Sequence, residues 1–372
     1  MAFGLFKKSE KKQEASNPHY RELTIKKIIQ ETKDAVTLVF EQPASGKLNY
    51  KSGQFLTLIA TVDGKEVRRS YSLCSSPFID QDLMVMVKRV DNGLMSNWLP
   101  DHLKVGDKVK VLEPLGNFTT EYSKEKKRHL VLFAGGSGIT PMISILKSLI
   151  TQEPDSICSL IYANRDIDSI IFKNELEHWQ TQYEGRVHVI HILDNAPMNW
   201  QGYSGLLNKD MLAKLFERIP SWGLDNTTYL MCGPEGMMKN VETLLGDLQI
   251  PKEKIFKESF VSGTIDKEKK EESKAATASG NTAHEVTIRY DGQEYKFVVE
   301  PNRAILETAL DLGIDLPYSC QSGLCTACRG KALSGKVKLD EEEGLSQSER
   351  AEGYVLTCVG HPMSDDVVIE IG

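Results

Sequence analysis

Long apolar runs are missing from this sequence. No uninterrupted stretch approaches the roughly 18 residues that a membrane-spanning helix needs, so no membrane attachment is expected. A surplus of positive charge is missing too. The net charge is −7, which excludes broad nucleic-acid affinity. The opening segment MAFGLFKKSEKKQEAS lacks the apolar core and cleavage site of a signal peptide, so the expected compartment is the cytoplasm. Cysteine is sparse and uneven. Of seven cysteines, Cys74, Cys158 and Cys232 are scattered, and Cys320, Cys325, Cys328 and Cys358 fall in the last 53 residues. An odd count with this clustering argues against a disulfide framework and for a metal site.

What is present is an ordinary globular composition. With 372 residues, 40% hydrophobic and 26% charged, the chain can bury sizeable cores in two or three domains. Charge is unevenly placed. Residues 285–372 hold 16 acidic and 8 basic side chains, a net −8, which leaves the rest at +1.

The pattern along the chain divides it into five stretches. Residues 1–16 read as a polar, frayed tail. Residues 17–122 show about six short β-type runs between turn signals such as Pro43-Ala44-Ser45-Gly46 and Asp63-Gly64, which predicts a small antiparallel β-barrel. Residues 123–262 alternate apolar strands (HLVLFA, CSLIYA, VHVIHIL, TYLMC) with helical patterns (IIFKNELEHWQ, NKDMLAKLFERI, PEGMMKNVETLLGDL), which predicts a parallel α/β sheet covered on both faces. Residues 263–284 carry almost no large apolar side chains and read as a flexible linker. Residues 285–372 open on a hairpin turning at Asp291-Gly292, then a short helix ending at Gly313 and a cysteine-rich loop, an α+β pattern.

Cys320, Cys325 and Cys328 form C-x4-C-x2-C, with Cys358 as a distant fourth. This is the plant-type [2Fe–2S] spacing, in which four thiolates are shared by two irons. The competing reading is a zinc site of four cysteines, but zinc sites usually show two close pairs. On these cysteines, residues 285–372 resemble a plant-type ferredoxin domain of β-grasp fold.

Arg69-Ser70-Tyr71-Ser72 ends a predicted barrel strand, and Gly93-Leu94-Met95-Ser96-Asn97-Trp98-Leu99 follows. Gly93 and Ser96 stand where a helix N-terminus can hold an anion, and Arg69 is suited to a phosphate. R-x-Y-S followed by G-x-x-S-x-x-L resembles the flavin barrel of the ferredoxin–NADP reductase family. The resemblance implies that Arg69, Ser70, Tyr71 and Ser72 bind the flavin. It also implies that Gly93 and Ser96 hold the pyrophosphate, which favours FAD over FMN.

Gly135-Gly136-Ser137-Gly138-Ile139-Thr140-Pro141 follows the strand HLVLFA and opens a helix. Gly136 and Gly138 let a pyrophosphate approach the backbone; Thr140 suits the N-cap and Pro141 the first helical position. The third glycine of a dinucleotide fingerprint is absent. The resulting G-x-G-x-x-P matches the form seen in that family. Cys232-Gly233-Pro234 ends another strand. The resemblance implies that Cys232, Gly233 and Pro234 line the nicotinamide pocket and that Glu258 and Phe260 approach nicotinamide and flavin. The competing readings are a small buried residue for Cys232 and interface packing for Phe260. Arg165, just after CSLIYAN with no acidic residue at the strand end, suits a 2′-phosphate, which leans to NADPH over NADH. A solvent-facing Arg165 is the alternative.

The domain order resembles the reductase components of bacterial multicomponent oxygenases, of the phenylacetyl-CoA epoxidase type. It implies an NAD(P)H-dependent oxidoreductase in which FAD takes a hydride and releases electrons singly to the cluster. Ser72, Cys232, Glu258 and Phe260 are then the residues at the hydride site. The acidic ferredoxin domain is expected to dock on an oxygenase or other acceptor. The alternatives are a reductase for a ring hydroxylase or a hybrid-cluster protein, and a non-catalytic electron-transfer or redox-sensing subunit.

Overall fold

The computed structural model describes residues 19–44, 46–260 and 282–372. The expected tail 1–16 and nearly all of the expected linker 263–284 lie outside those residues, as does Ser45 of the first turn signal.

Six strands form the first sheet: Tyr20–Thr32 (β1), Ala35–Phe40 (β2), Phe55–Val62 (β3), Lys65–Ser72 (β4), Leu83–Lys88 (β5) and Lys108–Leu115 (β6). Their order is β4-β3-β6-β1-β2-β5, and every pairing is antiparallel. A bridge between Leu73 and Val85 joins the two ends of the sheet, which closes it into the predicted barrel. Leu38, Phe40, Leu56, Leu58, Val85 and Val111 fill its interior. A helix at Leu94–His102 (α1) buries Met95 and Leu99 against that core.

The second sheet contains His129–Gly135 (β7), Ile157–Asn164 (β8), Val187–Leu193 (β9), Tyr203–Ser204 (β10), Thr227–Cys232 (β11) and Ile255–Glu258 (β12). It is parallel throughout, in the order β10-β9-β8-β7-β11-β12. Side chains alternate between its faces. Leu130, Leu132 and Leu160 meet the helices Ile139–Gln152 (α2) and Lys173–Gln182 (α3) on one side. Val131, Phe133 and Ile161 meet Lys209–Phe216 (α4) and Glu235–Asp247 (α5) on the other. Ala35, Cys74, Met86 and Phe118 of the barrel belong to the same buried cluster as Leu146 and Leu149 of α2. The two sheets are therefore welded through an apolar interface.

Two local expectations need correction. Thr140 is not the N-cap of α2: the cap is Gly138, and Thr140 is the second helical residue. A tight turn over Gly136–Gly138 has already redirected the chain, and the Thr140 hydroxyl donates to the Ser137 carbonyl at 2.7 Å. Helix α3 begins at Lys173 rather than at the start of IIFKNELEHWQ, because Phe172 takes a left-handed φ of +59° and breaks the run.

The third sheet has the order β14-β13-β19-β15-β17. Its strands are His284–Tyr290 (β13), Gln293–Val299 (β14), Arg329–Ser334 (β15), Tyr354–Leu356 (β17) and Val367–Ile371 (β19), with the pair Val337–Leu339 (β16) and Gly360–Pro362 (β18) beside it. The hairpin turns at Asp291 and Gly292, whose φ values of +52° and +71° are those of a type I′ turn. The helix Ile305–Asp311 covers the sheet through Ile305, Leu306 and Ala309.

Candidate functional site

Strand β4 carries the first group of predicted residues. Ser72 is buried, and its hydroxyl donates to Glu258 Oε2 at 3.4 Å. Tyr71 packs against the barrel core, and burial pushes its hydroxyl pKa up. Arg69 donates through Nη1 to the Arg68 carbonyl at 2.8 Å. Ser70 donates to Ser319 Oγ at 2.8 Å, a contact that no motif predicts. Gly93 caps α1 in an extended conformation, and no side chain caps that helix. The Ser96 hydroxyl accepts the Val90 N–H at 3.3 Å. A Cβ on Gly93 would lie 2.3 Å from Ser96 Oγ and 3.0 Å from the Val90 carbonyl oxygen, so a side chain there would displace the Ser96 hydroxyl. The first amides of α1 are thus left to an outside acceptor.

The second group lies where the strand order of the parallel sheet reverses, between the carboxyl ends of β7 and β11. In open α/β sheets this switch point forms a crevice for ligands. A Cβ on Gly138 would stand 2.0 Å from the Cys232 carbonyl oxygen, and one on Gly233 would stand 2.9 Å from the Gly135 nitrogen. The two turns touch backbone to backbone. Pro234 closes against Gly135, where a Cβ would meet its Cδ at 2.6 Å. Gly136 has a φ of +51°, and its carbonyl accepts the Tyr162 hydroxyl at 3.0 Å. On the open side of Gly136 the nearest atom to a Cβ would be Lys88 Nζ, 3.6 Å away. This barrel lysine places a positive charge at the glycine turn. Only its distance in the fold reveals that.

Glu258 ends β12 beside Cys232, its register partner on β11. Burial pushes the Glu258 carboxyl up to about 8, and the Ser72 hydrogen bond opposes that shift. Burial, and then the nearby Glu258, pushes the Cys232 thiol well up, so it is an uncharged packing group at neutral pH. Phe260, two residues on, is 41% exposed.

Arg165 is 57% exposed, and its Nε donates to Asp166 Oδ2 at 3.4 Å. Asp166 lies just beyond the strand end, and its carboxylate also accepts the Ser169 N–H at 2.9 Å. Beside them Asn164 is 5% exposed, and its side chain approaches the Tyr162 hydroxyl without a hydrogen bond of good geometry. A weakly satisfied amide at the end of β8 fits a polar nucleotide group. Its burial cannot be read from the sequence.

The third group is the cysteine loop. The N–H groups of Ser322 and Cys325 donate to Cys320 Sγ at 3.4 and 3.3 Å, and the Cys320 N–H donates to Cys325 Sγ at 3.5 Å. Hydrogen bonds from the Cys325 and Cys358 thiols, and then from Ser322, lower the Cys320 pKa. Cys358 follows β17 and lies within reach of both Cys320 and Cys328. Thr357 ties it in place: its N–H and hydroxyl both donate to the Cys328 carbonyl at 3.1 Å. Gly323 has a φ of +78°, and a Cβ there would meet Glu341 Cβ at 2.8 Å. Four soft cysteine sulfurs, two of them with amide donors, fit an iron–sulfur cluster.

Three family models match the chain in succession. They are an oxidoreductase FAD-binding domain over residues 22–120, an oxidoreductase NAD-binding domain over 132–243 and a 2Fe-2S iron-sulfur cluster binding domain over 288–363. A component of the 1,2-phenylacetyl-CoA epoxidase of Escherichia coli is 33% identical, over 94% of this chain and 97% of that protein. The ferredoxin reductase component of 3-ketosteroid-9-alpha-monooxygenase from Rhodococcus rhodochrous is 36% identical, over 94% and 96%. Among solved structures, phthalate dioxygenase reductase shares the fold with a TM-score of 0.58 and 24% identity, over 95% of this chain and 98% of that one. No helix among the described residues is long and apolar enough to cross a membrane. With FAD, NAD(P)H and a [2Fe–2S] cluster assigned to successive domains, the chain belongs to the ferredoxin–NADP reductase family of flavoproteins, among the NAD(P)H-dependent electron-transfer reductases of oxygenase systems that end in a ferredoxin domain.

Proposed function

We propose that this chain is the reductase component of an oxygenase of the phenylacetyl-CoA epoxidase type. The observation that carries the reading is the Ser72–Glu258 contact. It brings the R-x-Y-S strand of the barrel to the end of the nicotinamide sheet, the geometry that hydride transfer between two bound cofactors requires. When bound, FAD accepts a hydride from the reduced nicotinamide and passes electrons singly to the cluster.

The residues divide the work. Arg69, Ser70 and the N-terminus of α1 at Gly93 and Ser96 hold the flavin phosphates, and Tyr71 lies along the ring. Gly136, Gly138 and Thr140 cradle the dinucleotide, with Lys88 adding charge. Cys232, Gly233 and Pro234 wall the nicotinamide pocket. Beside the hydride path the Ser72 hydroxyl donates to the Glu258 carboxyl, which keeps its own proton at neutral pH. Phe260, exposed before the nicotinamide enters, shields the ring face. Arg165 takes a 2′-phosphate, which selects NADPH. Cys320, Cys325, Cys328 and Cys358 hold the cluster. The flavin domain spans 17–122, the nicotinamide domain 123–262 and the ferredoxin domain 285–372, with 263–284 as linker. The −8 charge of the last domain steers it to a basic patch on the acceptor. The cytoplasm, where nicotinamide and thiols are kept reduced, is its compartment.

The ketosteroid relative supports a second reading, in which the acceptor is a ring-hydroxylating oxygenase. Reconstitution separates the two. The purified protein and NADPH are mixed with the oxygenase components of either system, and product is measured. Turnover of phenylacetyl-CoA at the greater rate supports the first assignment; turnover only with the second oxygenase replaces it.

A further inference from the structure

Arg68 stands immediately before the R-x-Y-S motif and belongs to no motif itself. It is 7% exposed, an unusual state for a charged side chain. Its Nε donates to Glu66 at 2.8 Å, and its Nη1 donates to the Tyr20 hydroxyl at 2.8 Å. Both of these partners lie in the barrel. The rest of its surroundings come from the ferredoxin domain. Nη2 donates to Asp315 Oδ1 at 3.4 Å, and the guanidinium lies 4.2 Å from the centre of the Tyr318 ring. Tyr20 closes the circuit by donating to Asp315 at 2.8 Å. Asp315 and Tyr318 closely precede the first cluster cysteine, Cys320.

Strand geometry makes this placement meaningful. Alternate residues share a face and stand about 6.6 Å apart along the strand. Arg68, Ser70 and Ser72 therefore share one face of β4. Ser72 reaches Glu258 at the nicotinamide side. Ser70 reaches Ser319, which is peptide-bonded to Cys320. Arg68 grips Asp315 and Tyr318. One face of one strand thus touches the hydride site and the cluster loop two residues apart. Farther along the interface, Asn117 of the barrel donates to Glu349, which also pairs with Arg329 at 2.6 Å.

We propose that Arg68 is a positioning residue that clamps the ferredoxin domain to the flavin-binding strand, holding the Ser70–Ser319 contact so that electrons leave the flavin directly toward the cluster loop. A guanidinium is suited to this: its planar fork bonds two partners while its face stacks on a third. The inference rests on the reading that electrons pass from flavin to cluster within this chain.

The test uses the holoprotein and two variants, Arg68→Gln in the barrel and Asp315→Asn in the ferredoxin domain. Asp315 is 47% exposed, so its substitution leaves each domain folded. Anaerobic stopped-flow spectroscopy follows flavin bleaching by NADPH and cluster reduction as separate phases. Hydrogen exchange follows the amides of Leu316 and of Tyr318 to Cys320. Loss of a charge-assisted contact lowers the docked population, so cluster reduction slows roughly tenfold. Flavin bleaching keeps its wild-type rate, and those amides exchange faster. Wild-type cluster reduction together with wild-type exchange in both variants overturns the clamp. Flavin bleaching with no cluster reduction in the wild-type protein overturns instead the reading on which the clamp rests.

Discussion

Glu258 is a carboxyl held near pH 8, and that has a measurable sign. The folded chain keeps this proton to higher pH than the unfolded chain, whose carboxyl titrates near 4.5. Stability contributed at this position therefore falls as pH rises between about 4.5 and about 8, and changes little outside that window. In denaturant titrations of the apoprotein, Glu258→Gln is expected to gain stability relative to wild type as pH rises through the window. A constant difference across it would remove Glu258 as a carboxyl of raised pKa. Arg165 offers a second test. Its side chain is more than half exposed, so a 2′-phosphate contact sits at the weak end of charge-assisted bonds, and Arg165→Ala should lower kcat/KM for NADPH about tenfold while sparing NADH. Equal loss for both nicotinamides would discard the phosphate role. The motif residues are legible in the sequence because their chemistry depends on short spacing. Lys88, Asn164 and Arg68 are not, because each depends on residues far away in the chain.

Glycines at the turn between β7 and α2 differ sharply from those inside helices. A Cβ on Gly138 would strike the Cys232 carbonyl, whereas nothing lies within 4 Å of one on Gly246. Gly138→Ala is thus expected to cost about 1–3 kcal/mol by forcing two turns apart and to weaken nicotinamide binding. Gly246→Ala, on the exposed side of α5, should stabilise by about 0.5–1 kcal/mol. Thermal melts of both variants check the contrast, and a neutral Gly138→Ala would mean the two turns do not touch. Most elements are legible from periodicity, since long apolar strands and amphipathic helices repeat their signal. The short helix Gln347–Ala351 is not. Its cap signature is present, as Ser346 and Glu349 bond reciprocally, but five residues carry no periodicity.

Across the whole molecule, the apolar weld between barrel and α/β sheet contrasts with the polar contact between barrel and ferredoxin domain. Hydride transfer should therefore be insensitive to damage in the cluster. The wild-type protein purified anaerobically is expected to contain one FAD and two irons per chain, as a plant-type cluster requires. In Cys325→Ser the iron is lost or labile, flavin bleaching by NADPH survives, and delivery to the oxygenase collapses. Delivery at the wild-type rate by this variant would show that electrons bypass the cluster. Salt offers a complementary measurement: if the −8 charge steers docking, association with the acceptor slows as ionic strength rises.

The three fold types, the order of the modules and the four cysteines are readable along the chain, because strand and helix periods, glycine turns and thiolate spacing are all short-range patterns. Which distant residues meet depends on the folded arrangement. It joined Ser72 to Glu258, Gly138 to Cys232, and Arg68 to Asp315. These pairs are separated by most of a domain or more, and their approach follows from strand order and apolar packing, which no local spacing encodes.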